Sequence, residues 1–432
     1  MPLSEAIINN YTAILKEELV PAMGCTEPIA IAYAASIMRR VLGTEPSAVK
    51  LGLSGNIIKN VKSVIVPATG GMHGILSAVA AGVIAACPEK RLEVLGELTK
   101  EQRIRIAEYC DTVEMELYEI VSDLVFEIDM MGSFGDDTAR VQLEGGHTNV
   151  VYVEKNGKDL TAEYLSAQNI VKNATDRSAL NVKDIVEFAS SVDLAATGLD
   201  FYLERQLELN MNIAKEGLCG DYGATIGKIL LSRDPSDVKL RARAYAAAGS
   251  DARMNGCELP VCIISGSGNQ GMTASLPVAI YAEEIGASHE RLLRALLVSD
   301  LITIHQKTGI GCLSAYCGAV SAGCGCGCGI CYLNGGGYYE VAHTLVNSVA
   351  MLSGTICDGA KASCAAKIAM AVEAGIMGYE MTLAKKQFYG GDGIVTKGVE
   401  NTIKNVARLA RDGMSGTDRE IIKIMLEQGS KN

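Results

Sequence analysis

Apolar residues recur at helical spacing over residues 4–19 (Ala6, Ile7, Tyr11, Ile14, Leu15), and Pro21 and Gly24 then interrupt them before a second run from Pro28 to Val41. Cys25 therefore sits at a break between two helices. Between about 47 and 155 the pattern changes. VKSVIVPA, TVEMELYEI, LVFEIDMM, ARVQLEGG and NVVYVEK are short β-branched or alternating runs bounded by Gly, Asp and Asn, and they predict strands. Helices are expected there at 74–86 and 99–109. After about 160 strand signals nearly vanish, and 237–248, 271–287, 289–304, 340–353, 362–377 and 399–411 read as helices. The expected fold is α+β. N-terminal helices (1–45) would pack with the helical part, an α+β domain would span 46–160, and a larger, mainly helical domain carrying the cysteines would span 161–432.

Composition narrows the function. The 432 residues are 48% hydrophobic and 21% charged, with a net charge of -11, which repels a phosphate backbone and excludes a nucleic-acid footprint. The opening MPLSEAIINN has neither a basic n-region nor an apolar h-region, so a cytoplasmic location is expected. No charge falls between Lys307 and Glu340, yet that stretch is Gly, Cys, Ser and Ala, a poor membrane span, and no membrane association is expected. The expected partner is a small-molecule amino acid, with a second copy of the chain left open.

Cysteine is the residue that changes the picture. Eight of the fourteen (312, 317, 324, 326, 328, 331, 357, 364) fall within 312–364, where an even scatter would place about two. One explanation is packing, since Cys is small and readily buried and the neighbouring Gly lets helices approach. In GCGCGCG (323–329) each glycine costs a helix about 1 kcal/mol relative to Ala, so a helix there must be held by burial. The other explanation is a metal centre. CxCxCxxC is not a zinc knuckle, and an iron-sulfur cluster, which takes thiolates from separated segments, fits better. Seven residues of unbroken helix would hold Cys357 and Cys364 roughly 10 Å apart, too far to clasp one small cluster. The chain must bend between them, and Asp358-Gly359 is a turn signal; packing cysteines on one helix face would need no bend. SGSGNQG (265–271) before an apolar run is a loop feeding a helix N-terminus, a place that favours a carboxylate.

GCTEP (24–28), SGSGNQG (265–271), LSAYCGA (313–319) and CDGAKASC (357–364), with SGNIIKN (54–60), PATGGMHG (67–74), GGHTNV (145–150) and DARMNG (251–256), occur in this order along nearly the whole chain. In these motifs the sequence resembles the iron-sulfur-dependent L-cysteine desulfidase family, relatives of the α-subunit of [4Fe-4S] L-serine dehydratases. The resemblance implies α,β-elimination of L-cysteine to pyruvate, ammonia and sulfide without PLP, on an oxygen-labile [4Fe-4S] cluster. It implies Cys317, Cys357 and Cys364 as cluster ligands, with Cys324 a rival, and Cys25 as the active-site thiol. Cys312 stands where similar sequences tend to carry a basic residue. The chain ends EQGSKN, with no tail thiol, so the fourth iron is expected to be open or to hold water, an exogenous ligand or Cys25.

Such an elimination needs a base for the Cα proton and a Lewis acid for the leaving group. Cys25 is the first candidate, because a thiol just ahead of a helix has its pKa lowered by the N-terminus; His147 is the second. Ser54, Asn56, Thr69, Gly70, Gly71, Thr148, Asn149, Ser267 and Asn269 lie in polar, Gly-rich turns suited to gripping an amino acid, or to turn formation alone. Asp251 and Arg253 are expected to pair with each other, the alternative being that Arg253 forks onto a carboxylate. Three rivals remain: the same cluster chemistry on L-serine; a PLP enzyme using Lys307 or Lys361; and a non-catalytic, thiol-rich metal-binding protein using CGCGCGIC.

Overall fold

The computed structural model describes residues 3–122, 124–167, 175–311 and 313–429. Cys312 lies outside the described residues. Helix α1 (Glu5–Glu18), capped by Ser4, leads through a three-residue strand β1 (Pro21–Met23) to α2 (Thr26–Leu42). Next come β2 (Ala48–Ser54), α3 (Gly55–Val61), α4 (Gly74–Ala85) and α5 (Lys100–Thr112), the last held by a Thr99/Gln102 capping box. Strands β3 (Glu114–Ile120), β4 (Glu127–Phe134), β5 (Asp137–Glu144), β6 (Val150–Lys155) and β7 (Lys158–Asp159) complete the sheet.

That sheet has the order β3-β2-β4-β5-β6-β7; β2 and β3 are parallel and the other pairs antiparallel. Alternation fixes its buried face: Ile128 and Met130 on β4 and Ala139, Val141 and Leu143 on β5 pack in one core with α2 and α4. The β5–β6 register shifts between Gln142 and Leu143, just before the turn that carries His147. The expected strand VKSVIVPA (61–68) is not one. Val61 ends α3, and Val64 and Val66 are apolar because they are buried in a loop that makes only an isolated bridge, Ile65 to His73. The strand of this region is β2 instead, between β3 and β4.

The rest is helical: α6 (Thr161–Ala167), α7 (Val182–Ser191), α8 (Leu194–Thr197), α9 (Leu199–Cys219), α10 (Ile226–Leu231) and α11 (Val238–Met254). After the short strand β8 (Pro260–Cys262), which pairs with β1, come α12 (Gly268–Glu284), α13 (His289–Ile310), α14 (Gly318–Leu333), α15 (Tyr338–Leu352), α16 (Cys364–Leu383), α17 (Val399–Arg408) and α18 (Ser415–Gly429). Among the described residues no helix is long and apolar enough to cross a membrane.

The glycine-rich tract is α14, and its neighbours explain how a sequence with such poor helix propensity stays helical. A Cβ at Gly323 would sit 2.3 Å from the Ala371 carbonyl oxygen on α16, and one at Gly325 would sit 2.2 Å from Thr303 Oγ1 on α13. Backbones this close recover in packing what the glycines lose in propensity. The N-terminal helices divide between the two cores. Tyr11, Ile14 and Leu15 of α1 join the helical core, whereas Ile29, Ile31 and Met38 of α2 join the sheet-side core. Ile213 of α9 and Met272 and Leu276 of α12 also lie in that second core, so apolar packing is continuous across residue 160.

Candidate active site

Cys25 is the N-cap residue of α2, buried, with its side chain making no cap hydrogen bond. Its Sγ donates to Glu27 Oε2 at 2.9 Å. Glu27 is buried too, and it collects Asn60 Nδ2 of α3 on Oε1 at 3.1 Å and Thr26 Oγ1 near Oε2 at 3.2 Å. His147 Nε2 stands 3.8 Å from Glu27 Oε1, an ion-pair distance, and its ring is packed edge-on against Phe126. SGSGNQG closes the far side: Thr26 Oγ1 donates to the Gly266 carbonyl at 2.8 Å, and a Cβ at Gly266 would meet His147 Cε1 at 2.8 Å. Motifs from both halves of the chain thus meet at one place.

The electrostatics reverse one expectation. Burial drives the Cys25 thiol well above its usual range, Glu27 adds to this, and Arg253 only partly offsets it. The helix N-terminus does not win, because burial penalises the thiolate and the Glu27 carboxylate adds to that penalty. Burial also works to raise Glu27, but the His147 ring and the Cys25 and backbone donors overcome it and hold the carboxyl at about 2. The pair is a neutral thiol on an ionised carboxylate.

Cys317, Cys357 and Cys364 form the adjoining group. Cys317 caps α14; the Tyr316–Ile356 bridge places Cys317 N on the Thr355 carbonyl at 3.0 Å and Cys357 N on the Ala315 carbonyl at 2.6 Å. The chain from 357 to 363 is non-helical, with Gly359 at φ 94°, and α16 starts at Cys364 itself. The bend demanded by the spacing is present. Asp358 anchors it by ion pairs to Lys361 and Lys367, and the buried Lys59 ties it to both ends of the molecule, donating to the Cys357 carbonyl at 3.3 Å while pairing with Asp418 of α18. Burial and the neighbouring Cys357 raise Cys317, and burial with Cys357 raises Cys364, so the three thiols lie within electrostatic reach of one another. Cys364 also packs with Cys25, Val64 and Met254, which joins the two groups.

Among the described residues no three His, Cys, Asp or Glu side chains converge tightly enough for a single metal ion, and the described cysteines are free thiols. A multi-iron cluster is a larger object. Its fit is supported by three thiols arriving from separated segments, and by α12, α14 and α16, which all begin here without a side-chain cap hydrogen bond. Uncapped helix N-termini suit a net anionic group. The rival, Cys324, is buried within α14, and burial raises its pKa to about 12; it belongs to the helical core.

The remaining sequence candidates separate. Asn56 and Asn269 have buried side-chain oxygens without partners, and Ser267 is the N-cap of α12. Ser54 instead joins β2 to β4, accepting from Glu127 N and donating to the Val125 carbonyl. Thr69 closes its own turn through the Val66 carbonyl and Met72 N; Gly70 and Gly71 form the exposed tip of that turn. Asn149 is exposed and donates to the Glu144 carbonyl, and Thr148 beside it has its carbonyl engaged by Val150 N. These are turn chemistry. The expected Asp251–Arg253 pair is absent: Asp251 accepts from Gly227 N at 3.0 Å, at the start of α10, and Arg253 goes to the site. Glu27, Asn60 and Gln270 lay unread inside the quoted motifs. An acidic residue in the first turn of a helix complements the helix dipole, so Glu27 alone carries no signal of a site.

A profile of the serine dehydratase alpha chain matches residues 89–423. The chain belongs to the serine dehydratase alpha chain family. Full-length relatives include a UPF0597 protein of Desulfitobacterium hafniense, 52% identical over all of this chain and 99% of its own length. A UPF0597 protein of Treponema denticola is 44% identical over 99% of this chain and all of its own, and one of Bacteroides fragilis is 36% identical over the same shares. Residues 89–423 carry His147, Arg253, SGSGNQG and all three cluster-ligand candidates, whereas Cys25 and Glu27 lie ahead of them.

Proposed function

We propose that this family member is a lyase that eliminates sulfide from L-cysteine, yielding pyruvate and ammonia, with a [4Fe-4S] cluster on Cys317, Cys357 and Cys364. The carrying observation is the Tyr316–Ile356 bridge, which draws thiols from two separated segments together beside the buried Cys25–Glu27–His147 group. When bound, such a cluster would supply an iron free of protein thiolate, a Lewis acid for the leaving group.

The chain's own residues handle the proton. Cys25 is the base in its thiolate form, favoured by Arg253 and opposed by burial and Glu27. The substrate's Cα–H bond breaks as the S–H bond forms, and Glu27 Oε2, at 2.9 Å, accepts the hydrogen bond of the resulting thiol. His147, on the other carboxylate oxygen, holds Glu27 ionised and is the reserve proton carrier. Enclosure of the group keeps water from competing for the proton.

L-serine as substrate is the second reading, favoured by the family match, since loss of water needs the same proton transfers. A thiol-rich metal store is disfavoured because Cys324, Cys326, Cys328 and Cys331 are buried in the core of α14. A PLP lysine at Lys361 is disfavoured by its ion pair with Asp358. The test is purification without oxygen, iron and sulfide analysis, and pyruvate assays on L-cysteine and L-serine in parallel. About four irons and four sulfides with faster turnover of L-cysteine support the proposal; faster turnover of L-serine selects the second reading, and protein without iron or activity overturns both.

A further inference from the structure

Arg253 sits in the last turn of α11 and is 3% exposed. It makes no hydrogen bond or ion pair among the described residues, and its Nε is buried without a partner. A guanidinium left so costs several kcal/mol unless a counter-ion arrives. Burial lowers its pKa, against the negative influence of Cys25, Glu27 and Cys364, which places the charge between the proton-transfer group and the thiol group. The start of α12 lies directly against it: a Cβ at Gly268 would be 2.6 Å from Nε.

The start of α12 carries buried atoms that are unpaired in a complementary way. Arg253 offers donors without an acceptor, whereas Asn269 Oδ1 and Gln270 Oε1, in the first turn of α12, are buried acceptors without a donor. Gln270 extends to the cluster side, since a Cβ at Gly318 would lie 2.7 Å from its amide. A zwitterionic α-amino acid supplies both missing halves, a carboxylate for the fork and an ammonium for the carbonyl oxygens.

Resting on the reading of this protein as an amino-acid lyase, we propose that Arg253 anchors the substrate α-carboxylate by a bidentate fork, and that Asn269 and Gln270 receive the α-ammonium group. The arrangement holds Cα between Cys25 and the three thiols. It selects α-amino acids against amines that lack the carboxylate.

The test uses the iron-loaded enzyme and its apoprotein. Arg253→Gln is expected to raise KM for L-cysteine about a hundredfold with the iron load unchanged, and Arg253→Lys, which keeps the charge but loses the fork, to fall between. L-cysteinamide, which lacks the carboxylate, is expected to compete poorly with L-cysteine in the wild type and comparably in R253Q. The ligand-free R253Q apoprotein is expected to melt no lower than the wild type, because the substitution removes an unpaired buried charge. An unchanged KM and unchanged discrimination against L-cysteinamide overturn the assignment, as does a lowered apoprotein Tm together with lost iron, which marks a structural role. A wild type inactive on both L-cysteine and L-serine removes the lyase reading, and this inference with it.

Discussion

Two sets of cysteines crowd into the same 53 positions, 312–364, and the fold gives them opposite surroundings. Cys324, Cys326, Cys328 and Cys331 lie inside α14 and are buried among other helices; Cys326 Sγ donates to the Gly323 carbonyl and Cys328 Sγ to the Val341 carbonyl. Cys317, Cys357 and Cys364 occupy a helix cap, an extended stretch and a helix start, and all three are partly accessible. Cysteines within one helix radiate from its axis, so an alternating run cannot converge on one point, whereas helix ends brought together by a bridge can. The difference teaches that backbone geometry, and not cysteine density, decides which thiols come together.

The largest expected effect separates the sets directly. Cys357→Ser and Cys364→Ser are expected to lose the cluster and all turnover, read as iron content and visible absorbance, whereas Cys326→Ala is expected to keep both at a cost of about 1 kcal/mol in urea unfolding. Iron lost from C326A and kept in C357S would reverse the assignment. Next, Cys25→Ser should retain full iron while turnover drops by about a hundredfold or more. If Cys25 were instead a resting ligand of the fourth iron, the cluster's spectrum would change before substrate is added.

A smaller effect probes the packing set. Gly327→Ala would place a Cβ 2.4 Å from the Gly375 carbonyl oxygen of α16, and overpacking of this kind is expected to cost about 2 kcal/mol, measurable as a lowered Tm of the apoprotein. Gly70→Ala, at the exposed turn tip with nothing within 4 Å, meets no such neighbour and serves as the comparison for backbone strain alone.

The finest effect is on pH. Glu27 raises the Cys25 pKa, so Glu27→Gln is expected to shift the pH midpoint of Cys25 alkylation down. Because the Glu27 carboxyl is held at about 2, below its ordinary 4.5, the stability it contributes is present above about 4.5 and is lost as pH falls towards 2. E27Q should therefore lose less stability than wild type across that window, measured as Tm against pH. An unshifted alkylation midpoint would show that the Glu27 charge does not reach the thiol.

Much of this was legible along the chain. The helix pattern of the second half and the break between Cys357 and Cys364 follow from periodicity and turn chemistry, and the helix expected after SGSGNQG starts within it, at Gly268. VKSVIVPA misled because burial in a loop and burial in a strand select the same apolar residues. Glu27 and Arg253 were obscured for a related reason. A charged side chain in isolation reads as surface or as half of the nearest ion pair, and only its three-dimensional neighbours reveal whether it is buried and what it lacks.

The sequence alone determined most helix positions, the net charge of -11 and the motif set that pointed to the family, because each is written in residues close together in the chain. Tertiary structure alone decided which cysteines pack and which converge, that Cys25 rests on Glu27 as a neutral thiol, and that Asp251 turns to Gly227 and leaves Arg253 unpaired. These depend on desolvation and on contacts between residues such as Lys59 and Cys357, 298 positions apart, where burial and charge act through space and not along the chain.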